Sequence, residues 1–274
     1  MQRADVEQIF EQEKERFFNK ISPSEKPLAV ILGGQPACGK STLLKVVEKD
    51  HIDKSFLSVN GDLYRIFHPK YSELIKEANK YSAETQIFSN VFTEKLIEEA
   101  INRRCNIVVE GTMRNPDIPL KTANLFRNAG YSVEAYAISA PNLITQLGVY
   151  IRFQEEVAKK GVGRMAEMNV HHAAVDGLPK SLDTLYEQKA VEKISLYTYL
   201  AKEKIKDFNL ENDSWDCESF PSLFINDSRN RQLHDRELLK TSIEKGEKII
   251  HSIKDNEVKK SMNEIILKLK TNFL

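Results

Sequence analysis

Apolar residues recur along this chain in two rhythms. Short unbroken runs that end at polar or glycine-rich positions alternate with longer segments whose apolar residues return every three or four places. The first rhythm fits strands buried on both faces, the second amphipathic helices. "LAVIL" at 28–32 reads as a buried parallel strand before Gly33 and Gly34, with a helix from about Ser41. "SFLSVNGD" reads as a second strand that ends at a polar turn. The spacing predicts a long helix over about 83–103, with Ile87, Val91, Leu96, Ile97 and Ala100 toward the core. "NIVVEGT" at 106–112 is the third strand. "NPDIPLKTANLFRNAG" opens on Pro and Asp signals and closes on Gly130, which marks a helix with defined ends. "YSVEAYAIS" at 131–139 is the fourth strand, helices are expected to about 206, and "SLFIND" at 222–227 reads as a late fifth strand. The tail from Asp235 is helical and heavily charged. At the start, Val6, Ile9, Phe10, Phe17 and Phe18 share a helical stripe ahead of the linker "SPSEKP".

This order predicts an α/β fold of three layers, a mostly parallel central sheet with helices on both faces. The expected organisation is an N-terminal amphipathic helix and linker (1–26), a central domain (27–230) and a helical C-terminal extension packed on it (231–274). At 274 residues the chain suits one large domain or two small ones. Lysine plus arginine number 40, as do aspartate plus glutamate, so the chain lacks the basic excess of a duplex-binding surface and no nucleic-acid partner is expected. No run approaches the ~20 apolar residues of a membrane span, and the charged start does not read as a secretory signal. Cys38, Cys105 and Cys217 are odd in number and far apart, which suits a reduced, cytoplasmic setting without a disulfide framework or zinc site.

Ligands of parallel sheets sit at the carboxyl ends of strands. That rule brings residues 33–40, 60–62, 110–112 and 139–140 to one rim. "GQPACGKS", from Gly34 through Gln35, Pro36, Ala37, Cys38, Gly39 and Lys40 to Ser41, matches G-x-x-x-x-G-K-[ST] between a strand and a helix. Such a loop cradles phosphate oxygens with its amides, and the helix N-terminus, which here includes Thr42, adds its positive dipole end. Lys40 would reach the β- and γ-phosphates of ATP, and Ser41 would ligate Mg²⁺. Cys38 reads as a small spacer.

No base-reading N-K-x-D of a nucleotide switch is present; "FINDSR" is a loose echo. A kinase needs a carboxylate to take the acceptor's proton and cations for the transferring phosphoryl group. Asp62 at the second strand's exit can serve as that general base or cap the next helix. Arg152 and Arg164 are candidate clamps, or surface partners of Glu155, Glu156 or Glu167. Unbroken helix would hold them about 18 Å apart, and Gly161 and Gly163 are expected to break it so that both converge. Glu94, on the long helix before the third strand, can accept hydrogen bonds from a ligand or face solvent, and Thr122 can be a ligand contact or a core-edge hydroxyl. Glu110 can hold a magnesium-bound water or order the rim, while Thr112 and Arg114 follow it. His171 and His172 point about 100° apart and read as ordinary helix residues.

"LGGQPACGKSTL", "NGDLYRIFHPKYSEL", "VVEGTMRNPDIPLKTANLFRNAGYSVEAYAISAP" and "LGVYIRFQEEV" together resemble the zeta toxin family, bacterial P-loop kinases of epsilon–zeta toxin–antitoxin systems. The specific elements are Asp62 with His-Pro six residues on, E-G-T-x-R from Glu110, and D-x-P-x-x-T-A from Asp117. The resemblance implies a P-loop kinase-like fold and ATP-dependent phosphorylation of the 3′-hydroxyl of the amino sugar of UDP-N-acetylglucosamine, which blocks peptidoglycan synthesis. It also implies roles: Lys40 and Ser41 for nucleotide and magnesium, Asp62 as general base, and Arg152 and Arg164 at the γ-phosphate. Glu94, Thr112, Arg114 and Thr122 match positions near the sugar nucleotide. A protein antitoxin is implied as a partner. Where the family often has A-R-A-T-P, this chain has "GVGRMAEMNVHH". The competing readings are a P-loop kinase for another alcohol (nucleoside, antibiotic or polynucleotide end) and a catalytically weak ATP-binding module.

Overall fold

The computed structural model describes residues 2–75, 81, 83–253 and 255–273. Residue 1 of the N-terminal segment and positions 254 and 274 of the charged tail lie outside the described residues. Seven strands form one sheet in the order β2-β3-β1-β4-β5-β6-β7. They are β1 (Leu28–Gly33), β2 (Phe56–Val59), β3 (Asn106–Glu110), β4 (Ser132–Ile138), β5 (Lys193–Tyr197), β6 (Lys204–Glu211) and β7 (Ser214–Trp215). The first five run parallel; β6 pairs antiparallel with β5, and β7 with β6. β1 is central, with Val30 opposite Val108 on one side and Glu134 on the other.

Strand residues alternate between two faces, and each face has its own core. Ala29, Ile31, Ile107, Val133 and Ala135 look toward helices Gln86–Asn102, Asp117–Asn128 and Met168–Glu187. Leu28, Val30, Leu32 and Val108 look the other way, onto Leu43 and Val47 of helix Lys40–Asp50. Each such fully buried side chain contributes about 1.5–3 kcal/mol. A third cluster joins helix Asn142–Lys160 to helices Arg236–Ile250 and Asn256–Phe273 through Leu147, Ile151, Leu239, Ile243 and Ile266. Asp235 starts the first of those two by accepting from the amides of Glu237 and Leu238. Among the described residues no helix is long and apolar enough to cross a membrane.

The N-terminal stripe docks as its spacing predicts. Helix Arg3–Glu13 and the turn Glu15–Phe18 bury Val6, Phe10 and Phe18, and Phe10 meets Phe92 edge-on at 5.3 Å. On the helix that receives it, Ile87 departs from its expected inward position and is 61% exposed.

Two expectations fail in the last third. Residues 193–197 and 204–211 are strands β5 and β6, not helix. "SLFIND" lies inside helix Pro221–Leu233. A run of three apolar residues among six has no decisive period, and Pro221 at the first helical position is the signal that decides it.

One contact fixes the rim. A Cβ on Gly177 would lie 2.1 Å from the carbonyl oxygen of Arg114, so helix Met168–Glu187 rests directly on the backbone after β3. The Ser181 hydroxyl completes this seat by donating to the Met113 carbonyl at 2.8 Å. Gly177→Ala is expected to lower unfolding free energy by about 1–3 kcal/mol, since neither backbone can yield alone. A urea midpoint equal to wild type would refute this account of the contact.

Candidate active site

The loop after β1 is shaped from below and above. Ala37 and Gly39 both take positive φ, 62° and 108°. A Cβ on Gly39 would meet the Leu200 Cα at 2.6 Å, so glycine serves both the dihedral and the approach. Above, the turn Tyr199–Ala201 after β5 docks on the loop, and the Leu200 amide donates to the Cys38 carbonyl at 2.9 Å. That turn is held in its left-handed conformation (Leu200 φ 60°) by Gln232, whose side-chain oxygen accepts from the Tyr199 amide at 2.8 Å. Gln232 also donates to the Ser139 carbonyl at 2.8 Å.

Below, the buried Gln35 amide donates to the Ala140 carbonyl at 2.8 Å and to Thr145 Oγ1 at 3.3 Å. Thr145 Oγ1 lies 3.0 Å from the carbonyls of Pro141 and Asn142, which take its proton. His171 Nε2, 2.9 Å away, therefore donates to Thr145 Oγ1, and Nδ1 carries the lone pair. His171 is thus no ordinary helix residue: it is fully buried and anchors Gln35 through one hydroxyl. Burial, with the nearby charges of His172, Arg229 and Lys40, pushes its imidazole down to about 4. Burial pushes the Cys38 thiol up, so it stays protonated, as suits a spacer.

Lys40 donates to the carbonyls of Gly34 (2.8 Å) and Gln35 (3.3 Å) and lies 4.0 Å from the Glu110 carboxylate. Asn60, at the exit of β2, donates to the other Glu110 oxygen at 2.8 Å and caps the turn Gly61–Tyr64 by accepting from the Asp62 amide at 3.0 Å. The Ser89 hydroxyl donates to the Gly61 carbonyl at 2.7 Å, which ties this turn to helix Gln86–Asn102. Asp62 therefore caps nothing with its own side chain. Its carboxylate is 54% exposed and pairs with Arg164 and, at 3.4 Å, with the buried Arg65. Crowding alone would raise the Asp62 carboxyl; the Arg164 and Arg65 guanidiniums outweigh it and hold the group below the usual carboxylate range.

The expected helix break is present. Gly161 (φ 76°) ends helix Asn142–Lys160 and the chain doubles back. Glu156 then serves both arginines, lying 4.0 Å from Arg152 Nε and accepting from the Arg164 amide at 3.0 Å. A cavity of about 490 Å³ opens over the loop, and Ala37, Gly39, Lys40, Ser41, Glu110 and Arg152 line it. Asn60 lines it too, at the strand exit where the rim was expected, and so does the Tyr199–Leu200 turn, to which no local motif pointed. Gly34, Gln35, Pro36 and Cys38 form the loop beneath, and the Thr42 amide donates to the Gly39 carbonyl at the helix start.

None of the five predicted substrate residues, Asp62, Glu94, Thr112, Arg114 and Thr122, lines this cavity, and neither does Arg164, which pairs with Asp62 outside it. Thr112 is half-buried and Arg114 exposed just after β3. The Thr122 hydroxyl donates to the Ile118 carbonyl of its own helix at 2.9 Å. Glu94 is exposed and accepts both Arg3 guanidinium nitrogens at 2.8 and 3.1 Å. Ser41 and Glu110 bring a hydroxyl and a carboxylate to one cavity wall, a donor set that fits Mg²⁺, which takes few protein oxygens and completes its shell with water and phosphate.

A model of the zeta toxin family matches residues 13–214. Toxin PezT of Streptococcus pneumoniae is 32% identical over 176 residues, 64% of this chain and 69% of that protein. Toxin zeta of Enterococcus hirae is 30% identical over 175 residues, 63% of this chain and 61% of that protein. The match thus spans about three fifths of the enterococcal toxin's length. A solved structure from the characterization of the PezAT chromosomal toxin–antitoxin system of S. pneumoniae superposes with a TM-score of 0.76 at 22% identity, over 92% of this chain and 98% of that one. The AvrRxo1-ORF1:-ORF2 structure with ATP gives 0.52 at 16% identity, over 96% and 84%. At those identities the structural likeness speaks to the fold.

The imidazole of His171 yields a pH test. Its pKa is about 4 folded and about 6.5 unfolded, so the unfolded chain binds the extra proton first. Acidification from about pH 6.5 to about pH 4 should then cost on the order of 3 kcal/mol through this group. Urea unfolding across that range should show a shallower loss in His171→Asn than in wild type. Parallel curves would contradict the buried neutral assignment.

Proposed function

The chain belongs to the zeta toxin family, and from that premise we propose an ATP-dependent kinase of a toxin–antitoxin system that phosphorylates the 3′-hydroxyl of the amino sugar of UDP-N-acetylglucosamine and so blocks peptidoglycan synthesis. The observation that carries this reading is the pairing of a complete phosphate loop, its Lys40 facing a cavity, with the carboxylate of Asp62 at the exit of the next strand but one. Phosphoryl transfer needs an anchored terminal phosphate and a proton acceptor, and the proposal assigns these parts to the loop and to Asp62.

Lys40 and the loop amides would hold the β- and γ-phosphates, with Lys40 exchanging the Gly34 and Gln35 carbonyls for phosphate oxygens. Ser41 and Glu110 would hold Mg²⁺, which when bound offsets the charge of those phosphates. Asp62 orients the acceptor hydroxyl and takes its proton. Without substrate, Arg164 neutralises Asp62 and weakens it as a base. A γ-phosphate beside Arg152 and Arg164 would draw that guanidinium away and release the carboxylate. Thr112 and Arg114, just after β3, would bind the sugar nucleotide, and Glu94 would serve it only after leaving Arg3. A protein antitoxin is part of the proposal, and the toxin–antitoxin setting of the PezAT structure supports it.

With ATP, Mg²⁺ and UDP-N-acetylglucosamine, the protein should yield a product heavier by one phosphoryl group in the mass spectrum. Asp62→Asn should keep ATP affinity and lose about 10²–10⁴-fold in turnover, the usual worth of a general base. Phosphorylation of a different alcohol, with UDP-N-acetylglucosamine left intact, would overturn the substrate. Undiminished turnover in Asp62→Asn would remove Asp62 as base.

A further inference from the structure

The cavity over the phosphate loop has a second end that the proposed chemistry leaves unused. Asp62 lies on the β2 side of β1, so a phosphoryl group leaves the loop in that direction. The rest of the nucleotide must project the opposite way, over the exits of β4 and β5. There the cavity continues between helix Asn142–Lys160, the Tyr199–Leu200 turn and helix Arg236–Ile250. Leu238, Thr241, Ser242 and Lys245 of that last helix all line it. Their spacing of three, four and seven residues puts them on one helical face. The neighbouring face, with Leu239, Ile243, Gly246 and Ile250, is buried, so the helix is seated by its own core and needs no ligand to hold it. Lys245 pairs with Glu155 across the mouth at 3.0 Å.

We propose that helix Arg236–Ile250 is a wall of the nucleoside-binding end of the site, with Thr241 and Ser242 determining which nucleoside triphosphates fit. The proposal rests on the kinase reading and extends it to residues beyond 214, where the match to the family model stops. Ile144, Leu147 and Ile151 pack with Leu238 as the buried floor of the cavity, and Tyr199 and the exposed Leu200 on the facing turn offer apolar surface to a flat base. The Thr241 and Ser242 hydroxyls donate and accept, as the polar edge of a base or ribose requires. A volume of about 490 Å³ lies within the range of pockets that hold ligands of this size.

The test compares ATP with inorganic tripolyphosphate, each with Mg²⁺, by calorimetry on the full chain. Wild type should bind ATP more than about tenfold tighter than tripolyphosphate, since the nucleoside contacts add over 1.4 kcal/mol. Ser242→Trp fills the cavity from a partly exposed position, and should bring ATP down to the affinity of tripolyphosphate while leaving tripolyphosphate itself within about twofold. Thr241→Tyr, from an exposed position, is the second variant and should act in the same direction. ATP affinity unchanged in both variants overturns the wall, as does equal loss of both ligands. Failure of tripolyphosphate to bind wild type would instead strike the phosphate-loop reading beneath it.

Discussion

The buried side-chain amide of Gln35 is the contact on which the site depends. It sits in a loop whose backbone must present its amides outward, and it spends its own donors inward, on the Ala140 carbonyl and the Thr145 hydroxyl. An amide with no partner there would cost about 1–3 kcal/mol, so the loop has one seat rather than several. The same two partners belong to the β4 exit and to helix Asn142–Lys160, the helix that carries Arg152. Phosphate loop and arginine are therefore placed by one set of bonds. His171 extends that set into helix Met168–Glu187, which in turn rests on the backbone of Arg114. Floor, clamp and rim share a single frame built from short polar links between well-packed helices.

Charge within this frame is balanced pair by pair. Glu110 faces Lys40 and Asn60, Asp62 faces Arg164 and Arg65, and Glu156 joins Arg152 to the Arg164 backbone. Each pair gives a functional group a partner when the site is empty. Under the proposed function, a triphosphate would bring several negative charges and re-sort these pairs, with cations moving to phosphate and carboxylates freed for metal or proton. In the proposed kinase, the resting arrangement would keep the Asp62 carboxylate paired until substrate arrives. The chain's zero net charge fits a site organised by local pairs rather than by a broad field.

The first four strands and the phosphate loop were legible because each is a compact apolar run that ends at a glycine or a polar turn, a signal contained in eight to ten residues. β5 was not, since "KISLY" is five residues long with lysine at its start and directly follows a long helix. β6 is half-exposed and antiparallel, so its "KIKDFNLE" carries too many charges to read as strand. "SLFIND" shows the opposite error, a strand-like run whose Pro221 starts a helix. In the site, Lys40, Ser41, Glu110 and Arg152 were found from motif and strand exit. Asn60 was brought to the rim by the same strand-exit rule, though without a role, while His171, Tyr199 and Ser242 were not found, because what places them is packing between segments far apart in sequence. Glu94 and Thr122 were named through the family likeness, and the structure gives both side chains partners outside the cavity.

The sheet ends unevenly. On one side β2 is four residues long and leaves little backbone for another polypeptide to extend the ladder. On the other, β7 pairs with only Leu210 and Glu211 of β6, and among the described residues no strand covers the outer edge of 204–208. That stretch carries Lys204, Lys206 and Asp207, and charges on an open edge are a guard against indiscriminate edge-to-edge polymerisation. A polypeptide that did add a strand there would have to answer those charges, so the seam is selective rather than generic.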